Sequence, residues 1–375
     1  MVLTLAFRNL FHDRIRLAVT LVGILFAIVL VAVQLGLYLG ARKMITQMIE
    51  NANGELWIMS YGSKSFEEGG NLPGRERHLA LSVPGVKGVV PLVVSFAEWR
   101  KPAGGVTLSV VVGTDPADGG LQAWNIVDGD ISLITAPDAV AVDRTYLEDL
   151  GVTKVGDTGQ IESTRIKVVA LTKGIRSFTT APYVFTTLNR ARTILNLQGD
   201  QTTFLLVQLG PGADVANVRD TLIARLPGTE VLDKAVFLNR SLDNWLFQTG
   251  AGVALIGGAL LGMLVGTVIV AQTLYSSTKD HLTEFATLRA LGSSAGYIHR
   301  VILFQAAISA AIGYTLGLAI SLVVVHFSEN TPLPIIMTPG LAASLFILTV
   351  FMCAISAMAA IVKVTKIDPA MVFAR

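Results

Sequence analysis

Residues 17–41 read LAVTLVGILFAIVLVAVQLGLYLGA, twenty-five positions without one charge. A helix rises about 1.5 Å per residue, so ~20 apolar residues cross a hydrocarbon core of ~30 Å. In that medium a main chain is stable only when its own helix satisfies the peptide groups. Three more charge-free runs follow at Leu246–Thr278, Val301–Val325 and Ile335–Val362, of 33, 25 and 28 residues. The expected fold is a membrane protein of four transmembrane α-helices, with a large α+β extracytoplasmic domain inserted between the first and second spans.

Composition agrees, with 52% hydrophobic and 15% charged residues in 375 and a net charge of only +2. So slight a surplus, with no basic tract, gives no reason to expect nucleic acid as a partner. The placement of the basic residues is more informative. Arg8, Arg14 and Arg16 precede the first run, Lys279, Arg289 and Arg300 fall between the second and third, and Lys363, Lys366 and Arg375 follow the fourth. The 327–334 connection has Glu329 as its one charge. The positive-inside bias then places both termini and the 279–300 connection in the cytoplasm, with residues 42–245 and the 327–334 loop outside. Cys353 is the single cysteine and lies inside the fourth run, so neither an intramolecular disulfide nor a cysteine metal site is expected. The first run is too long for the apolar core of a cleavable leader and reads as a retained anchor.

The expected order is an interfacial amphipathic helix (1–16), a first span (17–41), an extracytoplasmic α+β domain with stalk ends (42–245) and a second span with stalk (246–278). A cytoplasmic helix (279–296), a third span (297–326), a short outer loop (327–334), a fourth span (335–362) and a cytoplasmic tail (363–375) follow. Leu3, Phe7, Leu10 and Phe11 recur at helical spacing, which suits a helix lying in the membrane interface; a plain extension of the first span is the alternative. Small residues repeat every four positions at Gly258, Gly262 and Gly266, and again at Gly313, Gly317 and Ser321. Such stripes let helix backbones approach closely, either within one subunit or across a dimer seam.

Between Arg42 and Trp245 the pattern becomes short β-like runs broken by Gly and Pro. Glu55–Met59, Val106–Val112, Lys167–Leu171, Tyr183–Thr186 and Phe204–Leu209 are the expected strands. Asp214 reads as the N-cap of a helix with Val215, Val218, Leu222 and Leu226 on one side, ended by Pro227-Gly228. Tyr61–Arg77, with four glycines and mixed charges, reads as a mobile loop in which Glu67 and Glu68 are weakly constrained.

The connection after the second span carries the sharpest local signal. Ser276-Ser277-Thr278 supplies capping hydroxyls, Asp280 falls in a first turn, Arg289 comes near a helix end and Gly292 stops it, with Ser294 free to cap the next helix. Leu282, Phe285, Leu288 and Leu291 step by three and drift around the helix, leaving apolar surface for a protein partner. Asp280, Glu284, Phe285, Leu288, Arg289 and Gly292 are the expected docking residues; for Arg289 a helix-end charge or lipid-phosphate contact is the alternative. Gly292-Ser293-Ser294-Ala295-Gly296 matches G-x-S-x-G, but a nucleophile elbow needs a preceding strand, and here a helix precedes. The five histidines show no metal-ligand spacing. His326 and Glu329 read as a solvated pair, and Gln34, Gln272 and Gln305 as intramembrane amides that must face protein or water. With no G-x-x-x-x-G-K-[ST] loop, any ATP would have to be hydrolysed by another subunit, and this chain is expected not to be an enzyme.

The run LYSSTKDHLTEFATLRALGSSAGYIHRVILFQ, Leu274 to Gln305, resembles the coupling segment of MacB/FtsX-type ABC transporter permeases. Its Asp280-His281 ahead of Glu284-Phe285-Ala286-Thr287-Leu288 is most similar to the DevC-type exporter permeases and their HrtB-like relatives. The C-terminal Asp368-Pro369-Ala370 fits the same pattern. The resemblance implies a homodimer, each copy binding a cytoplasmic ABC ATPase that holds the ATP and magnesium, with no cofactor in this chain. It implies mechanotransmission, in which ATP-driven motion is relayed to the outer domain to expel a substrate. A periplasmic membrane-fusion adaptor and an outer-membrane channel are implied for the DevC type, whereas the HrtB type does without them. An FtsX-like regulator, passing the same motion to a cell-wall enzyme, is the alternative.

Overall fold

The computed structural model describes residues 2–281, 283, 284, 287 and 293–365. Its elements begin with α1 (Val2–His12), α2 (Arg14–Asn51), β1 (Leu56–Ser60), α3 (Arg75–Leu81), β2 (Val86–Arg100), β3 (Val106–Gly113), β4 (Ile126–Gly129), β5 (Ala139–Asp143) and α4 (Leu147–Leu150). Next come β6 (Thr158–Ile161), β7 (Thr164–Thr172), β8 (Tyr183–Thr186), α5 (Leu188–Ile194), β9 (Phe204–Leu209), α6 (Val215–Arg225), β10 (Thr229–Asp233) and α7 (Lys234–Leu242). The chain closes with α8 (Ala251–Asp280), α9 (Ala295–Ser328) and α10 (Pro339–Thr365). They form two units. One takes residues up to Gly40, Val253–Glu329 and those from Pro334 on; the other takes Ala41–Gly252 with Asn330–Leu333.

In the first unit, α2, α8, α9 and α10 are long and apolar enough to cross a membrane. The initial helix is shorter than expected, because Asp13 breaks it. The Asp13 carboxylate accepts the Arg16 N–H at 3.1 Å, which caps a new helix instead of prolonging the old one. Ala6, Asn9 and Leu10 of α1 are buried, whereas Leu3, Phe7 and Phe11 stay exposed, the two Phe rings stacked at 4.3 Å. Leu10 therefore does not share the exposed stripe.

Two span boundaries also move. Leu246 belongs to a π-helical turn, Asp243–Gln248, and the helix restarts only after Gly250, whose φ of 80° is left-handed. The fourth helix starts at Pro339 rather than Ile335. Thr338 caps it, its hydroxyl accepting the Leu341 N–H at 3.0 Å, and proline suits the first helical position because its missing N–H would be unpaired there anyway. Ile335 and Ile336 precede it in non-helical backbone; the Ile336 N–H donates to the Gly36 carbonyl of α2 at 3.1 Å. That approach needs the glycines of α2: a methyl group on Gly40 would lie 2.1 Å from the Pro334 carbonyl oxygen. The bundle core is small and β-branched, with Ile24, Ala27 and Ile28 of α2 against Val301, Ile302 and Ala306 of α9 and Met352 and Ala357 of α10.

The second unit is built on a ten-stranded mixed sheet in the order β10-β1-β9-β2-β3-β8-β5-β7-β4, with β6 bridging β2 and β7. Tyr183–Thr186 and Phe204–Leu209 form strands over the expected residues, and the other three expected strands shift or lengthen by a few. Against one face pack Trp57, Phe204 and Phe237, with Trp57 at 5.5 Å from Phe204 and 5.1 Å from Phe237. Met48 and Ile49 from the last turns of α2 join this cluster, fully buried. Trp99, Tyr146 and Leu188 fill a second cluster. Asp214 caps α6 as expected, accepting the Ala216 N–H at 3.0 Å. Val218, Leu222 and Leu226 are buried, but Val215, in the first turn, is exposed.

The Tyr61–Arg77 segment is irregular up to Gly74, as expected of a loop, but much of it is buried. Ser63, Ser65, Phe66 and Glu67 are buried, Leu72 exchanges main-chain hydrogen bonds with Thr202, and Arg75 opens α3. Gly69, Gly70 and Gly74 serve close packing, a methyl group on Gly69 lying 2.4 Å from Thr203 Cγ2, whereas Gly62, at a φ of 83°, meets nothing within 4 Å.

Candidate functional site

At the end of α8 the helix does not stop at the hydroxyl triplet. Thr278 Oγ1 donates back to the Leu274 carbonyl at 2.7 Å, so Ser276–Thr278 continue the helix and cap nothing among the described residues. Asp280 therefore lies in the last turn of α8. Its carboxylate is bound by the guanidinium of Arg16, which also lies 3.3 Å from Asp13. Asp280 is thus engaged across the bundle, tying the start of α2 to the end of α8. Asp280 is about half exposed, so the Arg16–Asp280 coupling in an Arg16→Ala, Asp280→Asn double-mutant cycle should stay under ~1 kcal/mol and fade with salt. Thermal midpoints of the four proteins at two ionic strengths check it, and a large salt-insensitive coupling would contradict it.

Glu284 lies 3.0 Å from His281 Nδ1. Phe285, Leu288, Arg289 and Gly292 lie outside the described residues, as do Leu282, Leu291 and the 368–370 triplet. Ser294 occupies the N-cap position of α9, but only its carbonyl serves, accepting the Tyr297 N–H at 3.0 Å.

Both glycine stripes face α2. A methyl group on Gly258 would come 2.7 Å from the Gln34 amide nitrogen, on Gly262 3.0 Å from Leu30, and on Gly266 2.4 Å from the Ala27 methyl. On α9, Gly313 meets Ile24 at 2.4 Å and Gly317 meets Ile28 at 2.9 Å. The first span is thus clasped from two sides. Gly23, Gly36 and Gly40 of α2 are equally close to Ile269, Ile335 and Pro334, and the sequence reading missed them. The Gly36-x-x-x-Gly40 spacing was visible inside the first apolar run. Gln305 is buried, and His326 and Glu329 are exposed with 3.9 Å between His326 Nδ1 and Glu329 Oε2.

In the second unit, the segment 173–180 gathers an unexpected polar knot. The buried Glu67 carboxylate accepts hydrogen bonds from Ser177 Oγ at 2.6 Å, from Thr179 Oγ1 at 3.3 Å and from the Tyr183 hydroxyl. Burial pushes the Glu67 carboxyl above its ordinary range, opposed by the Ser177, Tyr183 and Thr179 hydrogen bonds and aided by the neighbouring Glu68 charge. On the other flank the buried Asp143 carboxylate accepts the Ile175 N–H at 2.8 Å and the Thr172 hydroxyl at 3.1 Å. The Gln47 amide of α2 donates to the Arg176 carbonyl, Phe178 packs on Trp245 at 5.6 Å, and Asn244 donates to Glu68 at 3.0 Å. One short segment thereby fastens the end of α2 and the turn after α7 to the sheet. No periodic signal marks such a knot, since its members are far apart in sequence.

Among the described residues no three His, Cys, Asp or Glu side chains gather as a metal cluster. Among the described residues, hollows on the sheet unit include a cleft of about 800 Å3 beside β2 and β6 and a smaller one of about 210 Å3 near Phe185.

Fold and site define a multi-pass membrane protein whose long helices carry a large mixed α/β unit between them in sequence. Residues 17–225 match the family model of the MacB-like periplasmic core domain, and residues 256–369 match that of the FtsX-like permease C-terminal region. The chain belongs to the MacB/FtsX family of ABC-type transporter permeases. Permeases of this family are generally non-catalytic membrane subunits that work with a cytoplasmic ATPase partner. No curated protein sequence matches the chain. Among solved structures, the periplasmic region of MacB from Actinobacillus actinomycetemcomitans is similar at 11% identity and a TM-score of 0.38, over 53% of this chain and 98% of that one. The extracellular domain of the noncanonic ABC-type transporter YknZ from Gram-positive bacteria is similar at 15% identity and 0.36, over 48% and 99%.

Proposed function

We propose that this chain is the permease subunit of an ABC exporter, converting ATP-driven motion of a separate ATPase into movement of its extracytoplasmic unit. The observation that supports this most is the continuity of α2: one 38-residue helix leads from Arg14, through the first apolar run, to Met48 and Ile49 in the core of the sheet unit. A rigid helix transmits displacement where a flexible linker would absorb it. The Gln47 hydrogen bond to Arg176 and the Phe178–Trp245 contact supply the points where such a displacement reaches the sheet.

In this reading both termini are cytoplasmic, the chain works as a homodimer in the inner membrane, and the ATPase holds ATP and magnesium while this chain carries no cofactor. The ATPase docks on the segment after α8, through Glu284, Phe285, Leu288, Arg289 and Gly292, with Asp280 serving the bundle as well. The exposed apolar face of α8, with Leu260, Leu261, Leu264 and Val268, suits lipid or the second copy. A DevC-like or HrtB-like exporter would differ in its need for a membrane-fusion adaptor and an outer-membrane channel. An FtsX-like regulator of a cell-wall enzyme would use the same lever without transport.

Pull-down of the ATPase encoded beside this chain tests the docking. Arg289→Glu and Gly292→Pro should each weaken capture at least tenfold, since one reverses a charge and the other fixes φ where the sequence pattern ends a helix. Undiminished capture and turnover would refute the docking role. Substrate release from right-side-out vesicles loaded with ATP separates exporter from regulator.

A further inference from the structure

The outer edge of β2 contains a gap. Phe96 stands opposite Val110 of β3, but the Val110 N–H donates to Pro182 on the far side at 2.9 Å. That pair is therefore the non-hydrogen-bonded kind, and Phe96 turns its own N–H and C=O away from β3. Its neighbours on the same edge are satisfied. The Thr203 hydroxyl serves Val94, accepting its N–H at 2.9 Å and donating to its carbonyl at 3.0 Å. The Glu162 carboxylate accepts the Glu98 N–H at 2.8 Å, and the Glu162 N–H donates to the Glu98 carbonyl at 2.9 Å. Between them the Phe96 N–H meets no acceptor among the described residues, and its carbonyl meets only Ser95 Oγ at 3.4 Å.

This unmatched peptide pair opens into the cleft of about 800 Å3, whose walls include Arg100, Gln160, Thr193 and Asn196. The far wall is pinned: the Arg192 guanidinium donates to the Gln201 and Asp200 carbonyls at 2.9 and 2.8 Å. Arg100 is exposed and has no carboxylate partner among the described residues. A main-chain donor and acceptor spaced as in a strand are complementary to one residue of another extended chain, the pairing by which peptides add to sheet edges. The volume lies within the range of ligand pockets.

The geometry points to a binding site for an extended peptide segment, one residue exchanging both hydrogen bonds with Phe96 while a carboxylate of the segment faces Arg100. This goes beyond the transport reading. Binding is measured without ATPase or nucleotide, so its failure leaves that reading untouched.

The test uses the full chain in lipid nanodiscs. The probe is a six-residue peptide of alternating valine and threonine ending in glutamate, beside a twin methylated at every amide nitrogen. The parent peptide should bind saturably and slow amide exchange at Phe96 at least tenfold. The methylated twin should not. Arg100→Ala should weaken binding about tenfold, the loss of one charge-assisted hydrogen bond, and Arg100→Lys should restore most of it. Equal binding by the twin, unchanged exchange at Phe96, protection confined to residues 114–134, or the same protection from lipid alone would each overturn the site.

Discussion

Leucine at Gly266 is expected to separate α8 from α2 and to destabilise the bundle by about 3 kcal/mol, the upper end of what overpacking costs. A methyl group there already falls 2.4 Å from the Ala27 methyl and 2.9 Å from the Met352 sulfur. Met352 is flexible and can turn away. Ala27 cannot, because its Cβ is fixed to the α2 backbone, so the helices themselves must part. Ala27 is buried in the core shared with α9 and α10, and a shift there propagates to Val301 and Ala357. Gly257 provides the control on the same helix, since a Cβ there meets nothing within 4 Å. The thermal midpoints of Gly266→Leu and Gly257→Leu, measured in nanodiscs, should differ widely, with only the first lowered. Equal midpoints would mean that the α2–α8 contact does not hold the bundle. Gly258→Leu should fall between them, because its obstacle is the movable amide of Gln34.

These glycines also show how much was legible in sequence. Spans announce themselves because a bilayer imposes one requirement on about 20 consecutive residues, and a charge-free run meets it visibly. Their ends were less readable: Leu246 and Ile335 are as apolar as their neighbours, and what stops the helix is Gly250 in one case and the Thr338-Pro339 cap in the other. In the sheet unit, Phe204–Leu209 was legible from its own residues, whereas β2 was not, because Gly88 and Pro91 read as breakers. Pro91 is tolerated because its missing N–H would face the β3 side, where pairing begins only at Val93. The Tyr61–Arg77 segment misled for the opposite reason, since Gly69 permits close contact with Thr203 and Phe204 in a stretch that is largely buried. The peptide-pair gap at Phe96 depends on what lies beside β2, and nothing in residues 86–100 encodes that.

Glu67→Ala should open the knot at 173–180, at a cost of about 3 kcal/mol in local stability. The change strands the buried Tyr183 hydroxyl, leaves the buried Ser177 hydroxyl with Thr179 alone, and opens a void where the carboxyl lay. Glu67→Gln keeps an oxygen acceptor of nearly the same shape and should cost far less. The two variants part further with pH. In the opened segment the carboxyl titrates near its ordinary 4.5, while burial raises it in the closed one. Below 4.5 both forms are protonated and this group's contribution is fully present. As pH rises from there through the raised value, the closed form binds more protons than the open one, so stability declines, then levels off. The wild-type chain should therefore protect the amides of 173–183 more strongly near pH 4.5 than at neutrality, after correction for intrinsic exchange. Glu67→Gln has no proton to lose and should show no such slope. A flat wild-type profile would mean that Glu67 titrates in the knot as an ordinary solvated carboxylate, and one that rises with pH that its hydrogen bonds outweigh its burial; either would contradict the raised value. Slope in the wild type and its loss in Glu67→Gln would identify this carboxyl as the group whose charge state sets how firmly Gln47 and Trp245 are held against the sheet.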